Sequence, residues 1–432
     1  MDAQKKNKQI LGVMLFYSLA SILASVLTSS SFSETLQGFW TILSSPAQLT
    51  PDYFEIGTVA GTFLNVGMTG LGCVAVFAAS GFALNGLSMM AFFLTIGFSF
   101  FGMNFLNMWP CILGTWLFTH VARIPFKSQA NIAIFATSLS PFVSEGMWRH
   151  PATETMLGSV LFGILLGVIC GFLMPILCQH GPNLHKGYSL YNAASVAGFI
   201  GVLLFSILFR ALGVEIPTSG AIVHTHPIAV NTFAIATSVV SIAAGFILNG
   251  KSFKGYTGLL KSSAYRCDYT NSFGVPLTLI NIGVFGLFVT AYYNLIGASM
   301  TGPTAGAIIC LLAVTPCGTH VLNMIPIMLG YALATTFCAF DLTTQAIIVG
   351  VCFSAALSPI TSRFGVLAGV LAGLVHACTV TTVVTFHGGL CLYNGGFTCG
   401  ITAIILVPVL EFFLEAKEVP SVRLTFKKLG QE

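Results

Sequence analysis

The stretch Gly102-Met-Asn104-Phe-Leu106-Asn107-Met108-Trp-Pro110-Cys-Ile-Leu113-Gly114 returns as Gly318-Thr-His320-Val-Leu322-Asn323-Met324-Ile-Pro326-Ile-Met-Leu329-Gly330. The separation is 216 residues, half of the 432-residue chain. Extended outward at that offset, residues 52–114 align with 268–330 without a gap, and 19 of the 63 pairs are identical. Asp52-Tyr53 meets Asp268-Tyr269, and Asn65-Val-Gly67-x-x-Gly70-Leu71 meets Asn281-Ile-Gly283-x-x-Gly286-Leu287. An apolar chain made of two related halves is the sequence mark of a membrane transporter or channel with internal pseudo-symmetry. The expected organisation is therefore 1–216 and 217–432, intertwined in one membrane unit.

Composition sets the solvent. The chain is 55% hydrophobic and 7% charged, where a soluble domain carries roughly a quarter charged residues. Its mean hydropathy is +0.90. Helices rather than a barrel fit the long unbroken apolar runs. The twelve cysteines contain no CxxC pair and sit mostly in apolar segments, so they read as packing residues, with no metal site or cofactor implied. The net charge of +4 sits in short loops and does not point to nucleic acid.

Seven spans are expected in each half. The first set is 9–29, 56–79, 86–103, 105–122, 128–143, 156–178 and 188–210. The second is 227–248, 272–294, 300–317, 319–338, 342–360, 364–385 and 390–411. The fifth of each set is the weakest and is compatible with a re-entrant segment. Ile10 to Leu27 has the form of a signal peptide, but its counterpart at Pro227–Leu248 argues for a retained span. An odd number of spans inverts the second copy. With cytoplasmic termini, 15 of the 17 Lys and Arg residues fall inside and only Arg149 and Arg210 outside, as the positive-inside rule requires of a plasma-membrane protein. The expectation is an all-α integral membrane protein of about fourteen helices in two inverted repeats, with helix breaks at the Asn-x-x-Pro segments.

Three duplicated motifs could carry function. Asn107-x-x-Pro110 and Asn323-x-x-Pro326 follow Gly102 and Gly318, so they either unwind a helix for a polar solute or cap a helix start. Asn104 aligns with His320, which makes the two copies chemically different there. Leu139-Ser140-Pro141 and Leu357-Ser358-Pro359 mark helix stops or short broken helices. Gly187-x-x-Leu190-Tyr191-Asn192-x5-Gly198 and Gly389-x-x-Leu392-Tyr393-Asn394-x5-Gly400 offer interface anchors or two Asn donors about a pseudo-twofold axis. Candidate solute contacts are thus Asn104, Asn107, Pro110, Ser140, Asn192, His320, Asn323, Pro326, Ser358 and Asn394. His320, His376 and His387 are candidates for proton coupling or specificity, since a histidine inside a membrane is expensive. The Gly163/Gly167 and Gly369/Gly373 pairs have the spacing of close helix contacts. His224-x-His226 lacks a third metal ligand.

No acid or base lies firmly within a span in this assignment, so a neutral polar path is expected. Phosphate-loop, HExxH and GxSxG motifs are absent, which disfavours ATP-driven transport and hydrolase chemistry; the chain is not expected to be an enzyme. The leading function is a secondary transporter of a small polar solute by alternating access, with proton or sodium coupling and homo-oligomerisation both open. The alternative is a passive channel for a small neutral solute; a third is a membrane enzyme or scaffold without flux.

Over most of its length the sequence resembles a bacterial multi-span membrane family known only as a domain of unknown function. At motif level, Asn107-x-x-Pro110 followed by Leu190-Tyr191-Asn192, and Asn323-x-x-Pro326 followed by Leu392-Tyr393-Asn394, are similar to the Asn-Pro and Gly-Tyr-Asn segments of urea transporters. In those, Asn and Pro adjoin and Gly directly precedes Tyr, which is not so here. The likeness implies a urea-like solute.

Overall fold

The computed structural model describes residues 3–46, 51–149, 153–216 and 224–414. The first half comprises helices α1 (Ala3–Thr28), α2 (Phe32–Leu43), α3 (Tyr53–Ile56), α4 (Val59–Ser80), α5 (Gly86–Phe98), α6 (Met108–Val121), α7 (Ala130–Ala136), α8 (Pro141–Trp148), α9 (Met156–Cys178), α10 (Gly181–Leu184) and α11 (Asn192–Phe205). The second comprises α12 (Pro227–Leu248), α13 (Tyr256–Leu259), α14 (Tyr269–Ser272), α15 (Gly274–Leu295), α16 (Gly302–Leu312), α17 (Val321–Ala334), α18 (Gln345–Ser354), α19 (Ser358–Phe364), α20 (Val366–Val383) and α21 (Asn394–Phe413). A short 3-10 turn joins α7 to α8 at Thr137–Leu139, and another joins α18 to α19 at Ala355–Leu357.

The outer helices are apolar outside and polar inside. Helix α1 buries Ser18, Ser21 and Ser25 and exposes Leu15, Leu19, Leu23 and Leu27, a four-residue spacing that places the leucines on one stripe. Water would reverse that arrangement; lipid favours it, because small residues let helices approach. Gly67 and Gly70 of α4 lie against Ser18 and Ile22, and Gly283 and Gly286 of α15 against Ser238 and Ile242 of α12. Helices α6 and α9 meet where a Cβ on Gly114 would overlap the Val168 carbonyl; at α17 and α20, Gly330 faces the Val370 carbonyl in the same way. The expected packing of Gly163, Gly167, Gly369 and Gly373 holds, the last three against Pro110, Pro326 and the Ile327 carbonyl.

The fourteen expected spans are not met. Among the described residues, nine helical segments are long and apolar enough to cross a membrane, the build of a membrane protein. Helices α5, α6, α16 and α17 have 13, 14, 11 and 14 residues. At 1.5 Å per residue none exceeds about 21 Å, against an apolar core of about 30 Å. They stop short because the turns between them are buried and internally bonded. The Asn65 amide donates to the Ser99 and Met103 carbonyls at 2.8 and 3.0 Å; Asn281 does the same to Thr315 and Thr319 at 3.3 and 2.9 Å. Apolarity runs straight through both turns, so the sequence reads each pair as full spans.

The halves grip each other reciprocally. Asp52 accepts the backbone N–H of Gly302 at 3.0 Å, at the start of α16, and its counterpart Asp268 accepts that of Gly86 at 3.2 Å, at the start of α5. Leu190 N–H bonds the Ala356 carbonyl, and Leu392 N–H the Ser138 carbonyl, both at 3.0 Å. Such exchanged pairs are what a twofold relation produces. Equivalent helices also run antiparallel: contacts between α11 and α21 pass from Ser195–Gly400 through Gly198–Phe397 and Gly201–Cys391 to Gly388–Phe205.

Burial raises the Asp52 carboxyl to about 6. A folded-state value above the unfolded one favours the protonated fold, so this contribution is present below about pH 4 and is lost as pH rises through 6. Melting of detergent-solubilised wild type against Asp52→Asn across pH 4–7 is expected to show a downward step near pH 6 in wild type that the variant lacks.

Candidate functional site

Residues that touch their own counterparts mark the pseudo-twofold axis. Cys310 Sγ sits 3.9 Å from the Leu94 carbonyl where α5 crosses α16. Ala194 lies against Gly396 where α11 crosses α21. Tyr191 and Tyr393 rings are 5.3 Å apart. Phe353 packs 5.8 Å from Tyr191 and its counterpart Phe135 6.3 Å from Tyr393, while Phe98 stands 5.6 Å from Tyr393. The centre is thus an aromatic block. The Tyr191, Tyr393, Ser140 and Ser195 hydroxyls within this buried region have no hydrogen-bond partner. Ser140 lacks one because Met103 stands where the second half has Thr319, whose hydroxyl meets Ser358 at 2.8 Å.

The two ends of the α11–α21 pair differ. At the Asn394 end lies a cavity of about 340 Å³, bordered by Phe205, Arg210, Thr381, Thr385 and Asn394. A π-helical turn, Ser206–Ala211, follows α11 and carries Arg210 to this rim. At the other end Lys186 Nζ meets Glu411 at 2.6 Å. Tyr265 donates to the Lys186 carbonyl at 2.9 Å, and Arg266 and Arg363 lie over the Tyr265 ring at 5.2 and 4.8 Å. Tyr188, buried, stacks 4.8 Å from Tyr265 and 5.4 Å from Phe364. One end therefore holds a cavity, and the other an ion pair and a cluster of rings and cations.

The Asn-x-x-Pro asparagines do not border this cavity. Asn107 donates to the Gly102 carbonyl at 3.1 Å and accepts Asn104 N–H at 2.8 Å; Asn323 donates to Gly318 at 3.0 Å and accepts His320 N–H at 3.0 Å. Asn107 also reaches the Ser144 hydroxyl at 3.0 Å. Asn104 caps its own turn and bonds the Ile42 carbonyl of α2. Each amide bonds within its own turn; Asn107 stands at the cap position of α6 without a side-chain cap bond, and Asn323 stands inside the first turn of α17. Pro110 and Pro326 pack against Gly167 and Gly369. His320 sits at the start of α17, 3.4 Å from the Ser262 carbonyl, with Nδ1 unpartnered. Asn394 alone of the expected contacts borders the cavity. Behind it, His376 is fixed between the Tyr331 hydroxyl and the Gly395 carbonyl, and His387 bonds Asn394 Oδ1 at 3.1 Å. His224 pairs with Glu55 and the His226 ring packs on Phe54, so the two do not converge on a metal.

Sequence reasoning passed over His185, although His185 and His387 each stand two residues before the glycine of the duplicated Tyr-Asn motif. It also missed the Lys186–Glu411 pair, whose partners are 225 residues apart.

Replacing Asn107 or Asn323 with Ala leaves buried backbone groups unpaired and is expected to lower stability by about 1–3 kcal/mol. Thermal melts of the purified variants check this; wild-type melting in both would return these residues to the solute path.

No curated protein and no solved structure matches the chain. One family model does, over residues 31–210 and 248–412, most of both halves and including α5–α6, α16–α17 and both crossing helices. The chain belongs to that family, described as Protein of unknown function (DUF1576).

Proposed function

We propose that this protein is a secondary transporter of a small polar solute, working by alternating access between two inverted halves. The observation that carries this is the antiparallel crossing of α11 and α21, with a cavity at one end and a seal at the other. A 20-residue α21 is about 30 Å long, so it starts beside the central tyrosines at Asn394 and carries Glu411 well away from them toward one end. Equivalent spans pointing opposite ways are what inverted repeats are. Lys186, Arg266 and Arg363 gather at the sealed end, which the positive-inside rule puts in the cytoplasm together with both termini. The cavity then faces outward. A cavity that ends at an aromatic block suits a carrier better than an open pore. The solute meets Asn394, Thr381 and Arg210 first, and no covalent chemistry is required of any residue.

Reconstituted protein in liposomes, offered small amides, amino acids and carboxylates with and without proton or sodium gradients, tests the reading. Gradient-driven accumulation is expected. Fast, unsaturable equilibration that ignores gradients would make the protein a channel, and absence of flux from folded protein would overturn both. Glu411→Gln removes the ion pair of the seal and is expected to reduce accumulation severalfold, read as the steady-state internal concentration.

A further inference from the structure

His185 and Asn192 in the first half correspond to His387 and Asn394 in the second, each pair seven residues apart and flanking the start of a crossing helix. The local frames agree. Ser189 N–H donates to His185 Nδ1, and Cys391 N–H to His387 Nδ1, both at 3.4 Å. An accepting Nδ1 leaves the proton of a neutral ring on Nε2. Burial keeps His185 neutral, pushing it down to about 4. In the second half the Nε2–H is used: it donates to Asn394 Oδ1 at 3.1 Å. In the first half it is not. His185 Nε2 and Asn192 Oδ1 are both buried and both without a partner. His185 itself is 1% exposed, so the first half holds an unused donor and an unused acceptor at the two positions that bond each other in the second.

The two pairs differ in step with the two ends of the molecule. The made bond stands at the hollow end, beside Asn394 and the cavity; the unmade one stands beside Lys186 and Tyr188, at the sealed end. We propose that His185–Asn192 and His387–Asn394 are two copies of one latch that close alternately, one bond belonging to each access state. The inference rests on the alternating-access reading and adds the residues that hold each state. In the opposite state Asn192 turns to His185, Asn394 leaves His387, and the hollow and sealed ends exchange. One neutral hydrogen bond is lost and an equivalent one gained, so the latches bias neither state strongly and the solute or its gradient can tip the balance.

Hydrogen exchange of the wild-type protein in detergent, read by mass spectrometry on segments 185–192 and 387–394, tests the coupling without any solute. Asn192→Ala breaks no side-chain bond present in this state, so it should fold. By depriving the opposite state of its latch it is expected to slow exchange at 387–394 about threefold to tenfold, the range that one such bond supports. Asn394→Ala should do the reverse, speeding exchange at 387–394 and slowing it at 185–192. If each substitution alters exchange only in its own segment, the latches are uncoupled and the inference fails, even where uptake is intact. Reciprocal changes in a protein that moves no solute would leave the latch standing and remove the transport reading alone.

Discussion

A backbone that stops being helical inside an apolar protein must find partners for its amides and carbonyls without water. Everything else here depends on how that requirement is met. Asn65 and Asn281 reach from neighbouring helices into the two turns and take two carbonyls each. Asn107 and Asn323 close the same turns from within. An unpaired group in lipid costs several kcal/mol, so these amides are conditions for the turns to exist. The short helices α5 and α16 can then end beneath the protein surface and meet each other at the axis. The capping carboxylates Asp52 and Asp268 come from the opposite half, which ties the fold of each half to the presence of the other.

Reciprocity of contacts makes the departures from it informative. Where Thr319 satisfies Ser358, Met103 leaves Ser140 bare; where His376 bridges Tyr331 and Gly395, the first half has Cys170. The same helices that cross at the axis reach both the cavity and the Lys186–Glu411 pair. Helix α21 borders the cavity with Asn394 and closes the far end with Glu411, so a rigid tilt of that helix changes both ends at once.

The duplication and the all-helical membrane build were legible in the sequence, and the basic residues Lys186, Arg266 and Arg363 do gather around Tyr265. The repeat is written in identities, and Lys186, Arg266 and Arg363 fall on one side by simple alternation of spans. Helix lengths were not legible at Gly86–Phe98 and Met108–Val121, because hydropathy measures transfer to lipid and is blind to whether a carbonyl has found an amide. The site was only partly legible. Asn394 was singled out and does border the cavity; Asn107 and Asn323 were offered as solute contacts or helix caps from a Gly and Pro spacing, and spacing cannot say which partner an amide takes. The Tyr191–Tyr393 block and the Tyr265 stack join residues far apart in sequence, and no local pattern encodes them.

The exchanged Asp–Gly and Leu–carbonyl pairs have the form that two identical antiparallel subunits would make, here within one polypeptide. Two identical subunits must carry the same residue on both sides of their axis. Joined copies need not. Arg210 corresponds to Phe412, and Thr319 to Met103, so equivalent positions in the two halves present different chemistry. An assembly of unlinked identical copies looks the same from either end of its axis; a single polypeptide is not held to that and can have a front and a back.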